Sequence, residues 1–274
     1  MNENKMGTMP IGKLLLNMAL PMIASMMVQA LYNVVDSIYI SRVSESAVTA
    51  LSLAFPVQVL AVALASGIAV GVNSLLSRSL GEKKPEMANK AAGNGITLIL
   101  MAAVILMLFG IFGARPYYEF QSDVAETVNG GSLYISITSI LCIGSFFQVL
   151  FERLLQSTGR TLYSMITQGT GAIINIILDP IFIFGYFGLP KMGVAGAAVA
   201  TVIGQCVAAT LAIIFNIKKN DDIKLGLEFM KLDGEVVSKI LVVGVPSMVM
   251  MAIGSVMNFG MNQIFQSFSE TATG

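Results

Sequence analysis

Two aspartates are notable because each lies inside a long apolar stretch. Asp36 is near the end of a run that begins around Leu14, and Asp179 lies in the run from Leu162 to Tyr186. An ionisable side chain inside a bilayer costs about 2.5–3.5 kcal/mol on insertion scales, so such residues are functional candidates by default. We therefore asked which chemistry the two carboxylates could perform together.

The surroundings of Asp179 are rich in oxygen. Asn175 precedes Asp179 by one helical turn, so both side chains share a helix face. Pro180 lacks a backbone donor and displaces the carbonyl of Ile176, which leaves a further acceptor nearby. Amide, carboxylate and carbonyl oxygens suit a proton or a hard monovalent cation such as Na⁺, and they offer nothing that a soft metal prefers.

The depth of these residues also indicates a common site. Ala197 and Thr201 are one turn apart in the next apolar stretch. At 1.5 Å per residue, Asp36, Asp179 and Thr201 all fall within about 12 Å of the same membrane surface. Two simpler interpretations stay open: Asp179–Pro180 could be a turn that ends a helix, and Asp36 could be an exposed polar residue at a helix end.

The composition is that of a membrane protein. Of the 274 residues, 55% are hydrophobic and 12% are charged, whereas soluble domains carry about 25% charged residues. The net charge is zero, which argues against nucleic acid as a partner. There is no His and no Trp, and the two cysteines lie in apolar stretches, so we expect no cofactor and no metal site beyond a bound Na⁺.

Seven apolar stretches reach the roughly 20 residues needed to cross a bilayer. They predict an all-α membrane protein with seven transmembrane helices and no enzyme-like catalytic loop. The predicted spans are Leu14–Ser41, Val48–Ser77, Ala91–Gly113, Ser132–Gln156, Leu162–Tyr186, Gly193–Ile217 and Ile240–Phe268. Glu152 and Arg153 lie near the inner end of the fourth span, where we expect an interfacial role.

The positive charges predict the orientation. With the N-terminus in the cytoplasm, thirteen of the 16 Lys and Arg residues fall on the inner side, and Arg42, Arg115 and Lys191 fall on the outer side. Cytoplasmic loops of membrane proteins carry an excess of Lys and Arg. The sequence thus predicts a cytoplasmic N-terminus.

The first and seventh spans look like two copies of one helix. A shift of 225 residues places Pro21 on Pro246 and Asn33 on Asn258. Because six spans separate the copies, the repeat is parallel in the membrane, as in some transporters. We expect a six-helix lobe at 1–217, a cytoplasmic linker at 218–239, and the first helix of an incomplete second lobe at 240–274. The chain would then be truncated.

Several segments resemble the multidrug and toxic compound extrusion (MATE) family, and in particular its MepA-like bacterial branch. They are "LLLNMALPMIASMMVQALYNVVDSIYIS", "SRSLGEKK" and "IINIILDPIFIFGYFGLPKMGVAGAAVATVIGQ". The resemblance implies two six-helix lobes in the bacterial cell membrane, and a monomer at full length. It also implies export of bulky, often cationic drugs and dyes in exchange for H⁺ or Na⁺. Family members with a cation site in the first lobe use residues that correspond to Asp36, Asn175, Asp179, the carbonyl of Ala197 and the hydroxyl of Thr201.

The resemblance leaves the drug site less defined. From depth and choice of helix we expect Asn33, Gln148, Met257 and Asn258 to contact substrate, and Pro21 and Pro180 to act as hinges. Two alternatives remain open. One is a flippase of lipid-linked precursors from the wider superfamily, although the spans lack the mid-membrane Arg and Lys that would hold a pyrophosphate. The other is an inert partial chain.

Overall fold

The computed structural model of the protein describes residues 8–266, apart from the side chains at positions 45, 255, 256, 258, 259 and 262–266. The regular secondary structure in this range is helical, as the sequence predicts. The helices are α1 (Ile11–Ser41), α2 (Glu45–Gly81), α3 (Pro85–Phe112), α4 (Ala114–Gln121), α5 (Ala125–Ile140), α6 (Ile143–Ser157), α7 (Thr161–Phe184), α8 (Val194–Lys219) and α9 (Gly234–Gln266), with short 3₁₀ turns at Tyr186–Gly188 and Leu227–Met230.

Six of the described helices are each long and apolar enough to cross a membrane, and the number of spans rises to seven if a bent pair, α5 with α6, forms one span. This confirms an all-α membrane protein. The predicted fourth span, Ser132–Gln156, falls on this pair of helices, which are bent by 49° to each other, and the apolar pattern alone does not indicate the bend. The Thr138 hydroxyl donates to the carbonyls of Tyr134 and Ile135, and such bonds back to the helix often bend it.

The connections on one side of the bundle lie at 82–84, 158–160 and 220–233, and we call this side the inner end. The last of these connections is held against the lobe. The backbone N–H of Lys224 donates to Asn89 Oδ1 at 2.8 Å, and Thr97 Oγ1 donates to the carbonyl of Met230 at 2.7 Å. The link between α8 and α9 therefore follows α3.

The first and last helices lie at the edge of the described bundle. α1 packs mainly on α7, and α9 packs along α2. A Cβ atom on Gly244 of α9 would lie 2.8 Å from the carbonyl oxygen of Gly67 on α2, so these helices cross almost backbone to backbone. Both edge helices contain a proline, Pro21 in α1 and Pro246 in α9.

Candidate cation site

The site depends on a close crossing of α7 and α8. A Cβ atom on Gly204 of α8 would lie 2.8 Å from the carbonyl oxygen of Gly171 on α7. Small residues of this kind allow membrane helices to approach closely. The crossing brings Asn175, one turn above Gly171, within hydrogen-bond distance of α8.

Three of the predicted residues are joined by hydrogen bonds. The side-chain amide of Asn175 donates to Asp179 Oδ1 and to Thr201 Oγ1, each at 3.2 Å. Asp179 is fully buried, and Asn175 is 3% exposed. The interpretation of Asp179–Pro180 as a helix-ending turn is wrong, because α7 continues through Pro180 to Phe184. Ala197, on the first turn of α8, is also fully buried.

Asp36 reaches the same cluster from α1. Its carboxylate lies within electrostatic range of Asp179, and one of its carboxylate oxygens, Oδ1, is buried. Asp36 is therefore not the exposed helix-end residue of the simpler interpretation. The contact between α1 and α7 is reinforced by a hydrogen bond from Gln168 Nε2 to Gln29 Oε1 at 2.8 Å.

Three oxygens of this cluster are buried without a hydrogen-bond donor among the described residues. They are Asp36 Oδ1, Asn175 Oδ1 and Asp179 Oδ2. Buried polar atoms normally have partners, and an exception requires an explanation such as an ion. These three oxygens could bind H⁺ or Na⁺, because each is a hard ligand atom and two of them belong to carboxylates.

The wall of this site contains residues that the sequence does not indicate. Tyr134 on α5 lies within electrostatic range of Asp36, Asp179 and Tyr32, and Gln58 of α2 donates to the Tyr134 hydroxyl at 2.8 Å. For Tyr32 a signal was present, because it precedes Asp36 by one turn on α1. Tyr134 and Gln58 come from helices that only the tertiary packing brings near.

The two proline positions lie inside helices. Pro21 cannot donate to the carbonyl of Asn17, and Thr161 of α7 approaches that carbonyl instead, with an Oγ1–O distance of 3.5 Å. Ser25 donates back to the carbonyl of Pro21 at 2.9 Å. Pro180 lies one residue beyond Asp179 in α7. A hinge at either proline stays a prediction.

The predicted substrate residues are spread over three helices. Asn33 lines a shallow groove on α1 with Val34, Ser37, Ile38 and Ser41. Met257 on α9 is exposed, and the side chain of Asn258 is outside the described part of the chain. Their role in drug binding stays a prediction.

The fourth candidate, Gln148, lies elsewhere. Its amide donates to Glu152 Oε1 at 3.1 Å. The expectation that Glu152 is interfacial is wrong, since it is only 7% exposed and also accepts a hydrogen bond from Thr167 on α7 at 3.0 Å. The bend between α5 and α6 and the packing of α6 against α7 turn this residue into the lobe.

A known protein family matches the part of the chain that carries most of these helices. The MatE family profile matches residues 21–181, which is more than half of the chain and includes α2 to α6 together with Asp36 and Asp179. The chain belongs to the MATE family. MATE proteins are membrane transporters, which agrees with the six to seven candidate membrane spans among the described residues.

Individual MATE proteins are similar over most of the chain. The multidrug export protein MepA of Staphylococcus saprophyticus is 26% identical over 262 residues, which covers 94% of this chain and 56% of MepA. MepA of Staphylococcus aureus strain NCTC 8325 is 28% identical over 254 residues, with 88% and 53% covered. The chain thus spans about half the length of the curated relatives it matches.

Solved MATE structures share the fold. An outward-facing multidrug resistance MATE transporter of the MOP superfamily superposes with a TM-score of 0.84 at 27% identity, covering 94% of this chain and 57% of that one. An inward-facing structure of such a transporter gives a TM-score of 0.82 at 26% identity, with 93% and 59% covered. A MOP superfamily transporter from Pyrococcus furiosus, described as having a binding pocket of reversed polarity and a suggested different function, gives 0.80 at 28% identity, with 87% and 52% covered.

Proposed function

We propose that the protein acts in multidrug efflux as a MATE antiporter. It exports bulky, often cationic compounds in exchange for H⁺ or Na⁺ that binds at Asp36, Asn175, Asp179 and Thr201. The observation that carries this proposal is the group of three buried oxygens, from Asp36, Asn175 and Asp179, that have no donor among the described residues. The relatives named as multidrug export proteins support the substrate class.

The local chemistry explains how an ion could drive a structural change. Two carboxylates that share a buried site repel each other when both are charged. A proton or Na⁺ between Asp36 and Asp179 removes this repulsion and satisfies the orphaned oxygens. Because Asp36 is on α1 and Asp179 is on α7, the bound ion draws the two helices together.

The structural change that ion binding causes should be a bend of α1 at Pro21. Pro21 lies about 15 residues, or roughly 22 Å along the helix, from Asp36. The N–H missing at Pro21 makes bending there easier than elsewhere in α1. Ion binding at one end of α1 thus biases the position of the rest of the helix, and alternating access follows from that bias.

The drug is held in a separate place. α1 exposes Asn33, Met26 and Met27, and methionine side chains adapt to varied apolar shapes. We place the drug against this face of α1 and against α9, next to Met257. In the same proposal the protein lies in the bacterial cell membrane with its N-terminus in the cytoplasm, and the complete transporter is a monomer.

The test is gradient-driven dye efflux. The complete reading frame is expressed in drug-sensitive cells, the cells are loaded with ethidium, and its efflux from the cells is followed under an imposed H⁺ or Na⁺ gradient. We expect Asp36→Asn and Asp179→Asn each to lower gradient-driven efflux at least tenfold. Asp123→Asn is the matched control, because Asp123 is an exposed carboxylate near the outer end of the bundle, and it should transport like the unaltered protein.

Each outcome has a distinct meaning. The ion whose gradient drives efflux is the coupling ion. If the unaltered protein moves no cationic dye under either gradient, multidrug efflux is refuted and transport of lipid-linked precursors is tested next. If efflux persists in both aspartate variants, the protein is a transporter whose coupling site lies elsewhere.

A further inference from the structure

The most buried acidic side chain besides Asp179 has no part in the mechanism above. Glu152 on α6 is 7% exposed. Its Oε1 accepts a hydrogen bond from Gln148 Nε2 at 3.1 Å and another from Thr167 Oγ1 at 3.0 Å, and the Thr167 hydroxyl shares its single proton with the Ser164 carbonyl at 2.8 Å. Both donors are neutral groups, so they solvate a carboxylate without neutralising it.

The neighbouring arginine does not form an ion pair with Glu152. Arg153 Nη1 donates to Gln156 Oε1 at 2.9 Å, and the salt bridges of the described residues leave Glu152 out. The charge of Arg153 still acts on Glu152 over a longer distance. A buried carboxylate without an ion-pair partner is costly when charged, so its occurrence here requires a reason.

The helices packed against α6 are α2, α3, α7 and α8, and among the described residues none of their charged side chains forms a salt bridge with Glu152. The charged residues of these helices lie at helix ends or in the cation site: Glu45, Arg78, Glu86, Lys90, Asp179, Lys218 and Lys219. Two weakly acidic side chains remain, Tyr163, whose ring contacts Phe215, and Cys206, which meets Gly144 two turns from Glu152. The immediate neighbours of the Glu152 carboxylate are thus an amide and a hydroxyl.

Glu152 and the cation site lie along the same helix but in opposite halves. The buried side of α7 carries Thr161, Ser164, Thr167, Asn175 and Asp179. Thr167 precedes Asp179 by 12 residues, which is about 18 Å along a helix. The two carboxylate sites are too far apart to share one ion, and each has its own hydrogen-bond partners.

Polar side chains connect Glu152 to the inner end. Gln156 lies one turn beyond Glu152 on α6, and its amide donates to the Ser164 hydroxyl of α7 at 2.9 Å. Glu152 is five residues from the end of α6 at Ser157, or about 8 Å. Polar side chains of α6 and α7 therefore lie between Glu152 and the inner end, and Glu152 is close to that end.

From this arrangement we propose that Glu152 is a second proton-binding site, which exchanges its proton with the inner side and is separate from the outer cation site. In its protonated form the carboxyl group can stay buried between Gln148 and Thr167 at little cost. On release of the proton to the inner end, the carboxylate is held by the same two donors and by the field of Arg153. The proposal rests on the proposed function only in assigning this proton to the transport cycle.

Infrared spectroscopy reads the protonation state directly. Difference spectra of the purified protein, made from its complete reading frame, are recorded while the pH is stepped between about 5 and 9. We expect a carboxylic-acid band from Glu152 that appears and disappears with pH and is absent from Glu152→Gln. Because Gln keeps the shape and an acceptor oxygen, both hydrogen bonds can be retained and the fold preserved.

A second variant separates proton binding from a structural role. Thr167→Val removes one donor but leaves the carboxyl group, so the same band should remain and titrate at a shifted pH. If the spectra of Glu152→Gln and the unaltered protein are the same, Glu152 does not exchange a proton in this range and the proposal is overturned. A band that is lost in Glu152→Gln but does not change with pH also overturns it.

Proton counting then connects the site to transport. In weak buffer, ethidium binding should release about one proton fewer per dye from Glu152→Gln than from the unaltered protein, and an equal count contradicts a role in the cycle. If no dye binds to the unaltered protein, the proposed function fails. The infrared band still decides whether Glu152 binds a proton.

Discussion

A substitution that adds only one methyl group should disable the cation site. A Cβ atom on Gly204 of α8 would lie 2.8 Å from the Gly171 carbonyl oxygen on α7, while ordinary van der Waals contact begins at 3.4 Å. Gly204→Ala must therefore separate the two helices by the difference of about 0.6 Å, because the obstacle is backbone and cannot rotate away. Overpacking of this kind costs about 1–3 kcal/mol.

The substitution should impair the cation site more than it lowers the stability of the protein. Asn175 and Thr201 are bonded across the same crossing at 3.2 Å. The same separation of about 0.6 Å brings this distance to roughly 3.8 Å, where a side-chain hydrogen bond no longer exists. The Asn175 amide then loses its contact with α8, and the site loses its link to Thr201. We expect at least a tenfold loss of gradient-driven ethidium efflux.

A matched glycine controls for general effects of the substitution. Gly169 lies on α7 two residues before Gly171, and a Cβ atom there would meet nothing within 4 Å. Gly169→Ala should transport like the unaltered protein, and its apparent melting temperature in detergent should not fall. Efflux by Gly204→Ala that equals efflux by Gly169→Ala, at equal amounts of folded protein, would refute the dependence of the site on this crossing.

Two further predictions concern stability and the link between α8 and α9. The buried hydroxyl of Tyr118 donates to the carbonyl of Ala50 at 2.6 Å. Tyr118→Phe should therefore destabilise the bundle by about 1 kcal/mol, which is measured as a lower apparent melting temperature. An unchanged melting temperature would contradict a stabilising role for this hydrogen bond. Arg160 and Asp222 form a salt bridge at 3.0 Å between side chains that are 25% and 22% exposed, so Asp222→Asn should speed backbone hydrogen exchange in residues 220–233. Asp221→Asn, at a 94% exposed position 4.0 Å from Arg160, is the control, and equal exchange in both variants would exclude a role for the salt bridge.

The sequence was sufficient to predict the helical spans and that Asn175, Asp179 and Thr201 lie together. Apolar runs of about 20 residues have few other interpretations, and the four-residue spacing of Asn175 and Asp179 places both on one helix face. The break in the fourth span was missed because periodicity and hydropathy do not register a bend. The sequence contains Thr138, but it does not indicate that its hydroxyl donates back to the carbonyls of Tyr134 and Ile135.

Residues that reach the site from distant helices were not predictable in this way. Tyr134 and Gln58 meet near Asp36 only because α5 and α2 pack together there. For Glu152 the sequence predicted an interfacial position, and the tertiary packing buries it instead. Its position near a helix end indicates an interface, but the rotation of α6 against α7 decides that it is buried.

The central claim is that an ion bound at the Asp36–Asp179 cluster sets the affinity for drug. The most direct measurement is the equilibrium binding of ethidium to the purified protein, expressed from its complete reading frame, as H⁺ or Na⁺ is varied, with Asp179→Asn compared with the unaltered protein. We predict that the coupling ion weakens dye binding to the unaltered protein by about tenfold, and that this dependence is lost in Asp179→Asn while the dye still binds. The same ion dependence in both proteins would contradict the account.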